Sequence, residues 1–186
     1  RMTHGDFVTE VAFSPDGRLV ASGDLGRTLR VWEAATGEEV SRMRLEEHLG
    51  SISFSSDGRW VVACGDVTVQ VWEAATGMEV SHMKHDYPVS VVAFSPDGLW
   101  VASGTYDGKV QVWDAAKGVE VSRMAHDEAV SDITFSPDGR WVVSGSDDGT
   151  VRVWEASSGK ELSRMIHGEP VHIVAFSTDG RQVVSI

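Results

Sequence analysis

The chain has 186 residues, 41% hydrophobic and 24% charged, an ordinary globular balance that fits one domain, at most two. Acids outnumber bases by 12, which argues against a nucleic-acid binder and against docking on an anionic membrane, because both need basic surface. The single cysteine, Cys64, excludes an intrachain disulfide, and no apolar run approaches the roughly 20 residues of a membrane-spanning helix.

Read from its first residue, the sequence shows no charged-then-apolar leader, so a cytoplasmic location is the expectation. The first strong signal is Phe13-Ser14-Pro15-Asp16-Gly17, a type I turn in which proline presets φ and glycine closes. The same Phe-Ser-x-Asp-Gly pattern restarts at Phe54, Phe94, Phe135 and Phe176, in steps of 41, 40, 41 and 41 residues. A Val-Trp pair ends at Trp32, Trp72, Trp113 and Trp154. Glycine follows at Gly37, Gly77, Gly118 and Gly159, then methionine at Met43, Met83, Met124 and Met165, and Met2 fits the same grid. The period places repeats at approximately 3–43, 44–83, 84–124 and 125–165, with a partial copy at 166–186. Residues 1–186 then form a single repetitive segment with no linker or second domain.

Each repeat reads as four short strands, most clearly in the fourth copy. Val130 to Phe135 carries apolar residues at Val130, Ile133 and Phe135. Trp141 to Ser144 follows the proline turn. After Asp147-Asp148-Gly149, Thr150 to Trp154 alternates, with Val151 and Val153 on one face and Arg152 and Trp154 on the other. Glu161 to Met165 is more polar, as suits an outer edge. No window carries a convincing helical period, so the class is all-β, and a period near 41 with four strands per unit predicts a β-propeller segment of four full blades and a half blade.

These residues resemble the WD-repeat β-propeller family over nearly the whole chain. The family dipeptide Trp-Asp occurs at Trp113-Asp114, while the other copies read Trp32-Glu33, Trp72-Glu73 and Trp154-Glu155. Residues 85–125 and 126–166 match at 24 of 41 positions. Such self-similarity resembles the recently duplicated arrays common in bacteria, which often serve as sensor or scaffold modules of larger proteins.

The resemblance also implies a reading for the histidines. In the family, a His before the first strand, a Ser in the second, an Asp in the next turn and the Trp of the third form a hydrogen-bonded chain. The third copy offers His85, Ser103, Asp107 and Trp113, and the fourth offers His126, Ser144, Asp148 and Trp154. By composition this mimics a Ser-His-Asp triad, but an active site is unique and this set recurs, so the reading is structural. The first copy has His4, Ser22 and Trp32, with Gly26 where Asp is expected. The second has Leu45 for His, Cys64 for Ser, and a turn one residue short. Trp60, Trp100 and Trp141 read as wedges between blades rather than an aromatic cage. The Asp-Gly pairs are turns, not calcium loops, and no phosphate-binding glycine loop exists, so no metal site, cofactor or catalytic residue is expected.

Function is sought where the copies differ. The family usually binds partners on loops that precede the first strands and loops that join the second and third. Carried onto this sequence, those positions are Phe7 and Thr9, His48 and Gly50, Pro88 and Ser90, Ala129 and Ser131, Pro170 and His172, together with Leu25, Tyr106 and Asp147 in the turns. Phe7, Leu25, Tyr87 and Tyr106 are side chains of the kind that anchor interfaces. The same loops carry Asp6, Glu46, Glu47, Asp86, Asp127, Glu128 and Glu169, which suit a basic protein or peptide, or else a solvated rim. Three readings follow: a non-enzymatic scaffold or sensor module, a self-assembling structural module whose chains join to close a ring, and a propeller enzyme, for which no non-repeated Asp/His/Glu cluster speaks. Four and a half copies are too few for a family-sized ring, so a homodimer completing one propeller is expected.

Overall fold

The computed structural model describes residues 2–186, and among them every regular element is a β-strand. Strands β1 (Val8–Phe13), β2 (Leu19–Asp24), β3 (Thr28–Glu33) and β4 (Glu39–Arg44) pair in chain order as one antiparallel sheet. The second sheet is β5 (Ser51–Phe54), β6 (Trp60–Cys64), β7 (Thr68–Glu73) and β8 (Glu79–Lys84). The third is β9 (Val89–Phe94), β10 (Trp100–Thr105), β11 (Lys109–Asp114) and β12 (Val119–Ala125). The fourth is β13 (Val130–Phe135), β14 (Trp141–Ser146), β15 (Thr150–Glu155) and β16 (Glu161–Ile166). Strands β17 (Val174–Phe176) and β18 (Val183–Ser185) make a two-stranded sheet. This is a propeller segment of four full blades and one partial one, in which the first strands of successive blades touch: β1 with β5, β5 with β9, β9 with β13, β13 with β17.

The turns follow from their residues. In every Phe-Ser-x-Asp-Gly turn the aspartate accepts from the serine hydroxyl and from the backbone N–H two residues on, as at Asp138, with Ser136 at 2.6 Å and Arg140 N at 3.1 Å. Its glycine adopts the left-handed conformation, φ 71° at Gly139, where a side chain would be strained. Each fourth strand skips a residue against the third beside the tryptophan, so that Val153 faces Ser163 and Trp154 faces Glu161. The same bulge recurs in all four blades and twists the outer edge.

The cores lie between blades rather than within them. Ala21, Leu29 and Val31 of the first blade pack with Phe54, Val61 and Trp72 of the second. Val62, Val69 and Val71 pack with Val89, Val101 and Trp113, and Ala102, Val110 and Val112 pack with Ile133, Val142 and Trp154. Each of the three seams between full blades is also pinned by a hydrogen bond from a fourth-strand serine to the alanine that follows Trp-Glu or Trp-Asp in the next blade. Ser122 Oγ donates to Ala156 O at 2.6 Å, and Ser41 and Ser81 repeat this to Ala74 and Ala115.

The end blades expose what the inner ones cover. Val8, Val11 and Phe13 are 48%, 55% and 65% exposed, whereas Val130, Ile133 and Phe135, at the same register, are buried. Among the described residues no blade stands before β1. Trp60, Trp100 and Trp141 are half-buried at the seams, with the Arg59 and Arg140 guanidinium groups over the rings of Trp60 and Trp141.

Candidate interaction face

The loops before the first strands and the turns joining second to third strands meet at one end of the blades through backbone hydrogen bonds. Leu25 N donates to Phe7 O, Tyr106 N to Pro88 O and Asp147 N to Ala129 O, at 2.9 to 3.0 Å. These bonds carry apolar side chains outward in pairs: Phe7 with Leu25 on the first blade, Tyr87 with Tyr106 on the third, all half-exposed or more. Thr9, His48, Gly50 and His172 are exposed at the same end. Ser90 and Ser131 are less open, because each hydroxyl is already engaged. Ser90 donates to Val130 O and Ser131 to Asp147 Oδ1. Two of the acids expected here also have framework roles: Glu47 accepts from Val67 N across the shortened second-blade turn, and Asp127 pairs with Arg152 at 3.1 Å.

Beneath this face run the histidine chains. In the fourth blade Trp154 Nε1 donates to Ser144 Oγ at 2.8 Å, Ser144 lies 2.7 Å from His126 Nε2, and His126 Nδ1 lies 3.0 Å from Asp148 Oδ2. An aspartate acceptor fixes the proton on Nδ1, which leaves Nε2 to accept from the serine. Asp148 also receives Arg152 at 2.9 Å, and both side chains are almost fully buried. Burial alone would raise the Asp148 pKa. Hydrogen bonds from Thr150 and the Asp127 backbone, with His126 beside it, outweigh burial and hold the carboxyl well below the usual range. Burial lowers the His126 pKa, partly opposed by Asp148.

The other blades depart from the expected sets in three ways. In the first, Gly26 does take the usual aspartate position, but Asp24, two residues earlier, swings in. His4 Nδ1 is 2.8 Å from Asp24 Oδ2 and His4 Nε2 is 2.7 Å from Ser22 Oγ, which accepts from Trp32 Nε1. The first blade is complete after all. In the second, strand register puts Ala63, opposite Gln70, where Ser144 stands opposite Arg152, so Cys64 replaces a glycine and not the serine. Leu45, Ala63 and Trp72 form an apolar centre there. The Cys64 thiol is sealed in, and burial pushes its pKa up to about 12, which leaves it unreactive. In the third, His85 reaches Ser103 at 2.8 Å, but Asp107 does not reach His85. It accepts from Thr105 Oγ1 at 2.5 Å and pairs with Lys109 Nζ at 2.9 Å. His85 Nδ1 is buried without a partner, and burial drops the His85 pKa to about 4.

Among the described residues no group of three or more His, Cys, Asp or Glu side chains is placed to hold a metal ion. In the first and fourth blades the serine, histidine and aspartate are spent on one another beneath the surface, an arrangement that braces turn against strand.

Comparison with known proteins agrees with this architecture. The model of the WD domain, G-beta repeat, matches residues 2–33, 39–73, 78–114 and 118–155. An uncharacterized WD repeat-containing protein of the cyanobacterium Nostoc is 64% identical over 33 residues, covering 18% of this chain and 2% of its own length. A second, from Synechocystis, is 44% identical over 59 residues, covering 30% of this chain and 16% of its own. The small ribosomal subunit protein RACK1z of rice is 35% identical over 60 residues, 32% of this chain and 18% of its own. The chain therefore spans less than a fifth of the length of each of these relatives. WD repeats generally mediate protein–protein interaction or scaffolding and are generally non-enzymatic. With four matched repeats covering well over half its length, the chain belongs to the WD-repeat family of β-propellers.

Proposed function

We propose that this chain is a non-enzymatic scaffold or sensor module that binds a basic protein or peptide on the loop end of its blades. The observation that carries the reading is the contrast between a repeated four-stranded framework and one divergent end. Phe7, Leu25, Tyr87 and Tyr106 have no counterparts of the same kind in neighbouring blades, yet all project there among Asp6, Glu46, Asp86, Glu128 and Glu169. Exposed aromatic anchors ringed by charge of one sign are the makings of a specific, electrostatically steered interface. Affinity for a basic peptide is expected to fall as salt rises and to fall with Glu46→Lys or Asp127→Lys. Arg140→Ala, in a turn at the opposite end, is expected to leave it unchanged. Equal losses from both ends in a calorimetric titration would sink the assignment.

A second reading concerns assembly, and the exposed Val8, Val11 and Phe13 favour it. Within the chain that surface is always covered by a preceding blade. A blade of the same kind would cover it, and we propose one from a second copy of the chain, in a homodimer that completes a ring. Light scattering at several concentrations tests this, and a stable monomer across the micromolar range would count against it.

A further inference from the structure

Lys109 stands where the other full repeats carry threonine: Thr28, Thr68 and Thr150. In the fourth blade that threonine leaves Asp148 in contact with His126. In the third, the longer side chain brings an ammonium group to the loop end. Its Nζ lies 2.9 Å from Asp107 Oδ2, 3.8 Å from Asp86 Oδ2 and 5.2 Å from the centre of the Tyr87 ring. Two carboxylates and an aromatic face around one point are the elements that recognise an organic cation. The arrangement has a cost elsewhere. Asp107 is drawn away from His85, whose Nδ1 is left buried and unpaired, and this occurs only in the blade that carries the lysine. His85 Nε2 lies 2.8 Å from Ser103 Oγ, the same anchor that in the fourth blade turns Nδ1 of His126 to Asp148. Lys109 is held chiefly by the partly buried Asp107 at 2.9 Å, while Asp86 and Tyr87 are open to solvent and the pair with Asp86 contributes little.

We propose that Asp86, Tyr87 and Asp107 form a binding spot for a lysine or arginine side chain, that Lys109 is its internal occupant, and that a basic partner docks there by displacing it. The proposal rests on the loop end being the binding face and names one spot on it. Lys109 then acts as a built-in competitor that weakens cationic partners.

The test uses a short oligolysine peptide as probe, titrated calorimetrically against the unaltered chain, Lys109→Thr and Lys117→Thr. The last removes the same charge from the turn between β11 and β12, at the opposite end. Lys109→Thr is expected to fold, since it restores the residue of the other blades, and to bind about 2- to 5-fold tighter, as removal of a competing, partly exposed ion pair predicts. Adding Asp86→Asn or Tyr87→Ala to it is expected to abolish that gain, and Lys117→Thr to bind like the unaltered chain. Independently of any peptide, the His85 imidazole resonance is expected to move in Lys109→Thr as Asp107 returns to Nδ1. If the unaltered chain binds oligolysine and Lys109→Thr binds no tighter than Lys117→Thr, the internal-occupant assignment is overturned while the binding face stands. If none of the three binds, both are overturned.

Discussion

The second and fourth blades share a four-stranded plan and differ in what fills its centre. The fourth holds an indole, a hydroxyl, an imidazole, a carboxylate and a guanidinium in one connected chain. The second holds Leu45, Ala63 and Trp72 with no such chain. The fourth-blade network pairs its members with one another, whereas the apolar centre of the second blade needs no such pairing and leaves Gln70 Oε1, opposite Ala63, buried without a partner. The third blade shows the intermediate case: one member, Asp107, is engaged elsewhere, and His85 carries the unpaired nitrogen. The members therefore work as a set, exchanged together or at a cost.

The strongest break in this comparison is at the tryptophans. Trp154→Ala and Trp72→Ala are each expected to cost about 3–5 kcal/mol in denaturant unfolding, as truncations of large buried aromatics do. If the fourth-blade loss exceeds the second by about 1 kcal/mol, the indole–serine hydrogen bond adds to packing. Next is Asp148→Ala. It removes one acceptor from His126, which keeps Thr150 Oγ1 at 3.1 Å, and one from the buried Arg152, which keeps Asp127 and Ala125 O, and a loss of about 1–3 kcal/mol is expected. A loss within error would mean that the network contributes nothing to stability. Leu45→His places an imidazole in the apolar second blade and is expected to cost about 1–3 kcal/mol. Adding Ala63→Ser is expected to restore part of it, which a double-mutant cycle resolves.

The pH dependence sharpens the contrast further. His85 titrates near 4 when folded, below the ordinary value of about 6.5. A group whose folded pKa is lowered binds more protons unfolded. Its neutral form therefore supports the fold fully above about pH 6.5, and that support is lost as pH falls toward 4. Stability measured by unfolding across this window is expected to fall with acid, by at most about 1.4 kcal/mol per pH unit from this group. His85→Leu, which copies the second blade, is expected to flatten the slope. The smallest effect is at Arg27, the one non-glycine residue in the left-handed region among the described residues, with φ 63°. It stands where Gly108 and Gly149 serve the same turn, so Arg27→Gly is expected to stabilise by about 0.5–1 kcal/mol in a thermal melt.

Much of the architecture was legible because the repeat states it five times. Proline, Asp-Gly and Val-Trp at a fixed period leave little freedom for strand placement, and the strands of the fourth copy fall within two residues of their expected ends. What escaped was local and geometric. Reading the second copy by its shortened turn aligned Cys64 with the serines. Counting instead from the Phe-Ser turn to Val61 would have put Ala63 there, because the missing residue lies after β6. The Asp24 substitution is visible in sequence only as a carboxylate two places early, and whether it reaches His4 depends on how the turn folds. That Lys109 captures Asp107 is a competition between two bases for one acid, which no alignment of repeats can decide.

The serine-to-alanine bonds at the seams have a consequence for how such a chain can grow. The three seams between full blades use the same donor and acceptor, 33 or 34 residues apart, so each full blade carries a plug on its outer strand and a socket after its tryptophan. A gene segment encoding one period, inserted at any seam, would bring both halves of the connection with it and create no new kind of joint. Stability then accumulates blade by blade through nearest neighbours, as in a one-dimensional array. Lengthening needs no invention, while a change at one seam is felt chiefly by the two blades that share it.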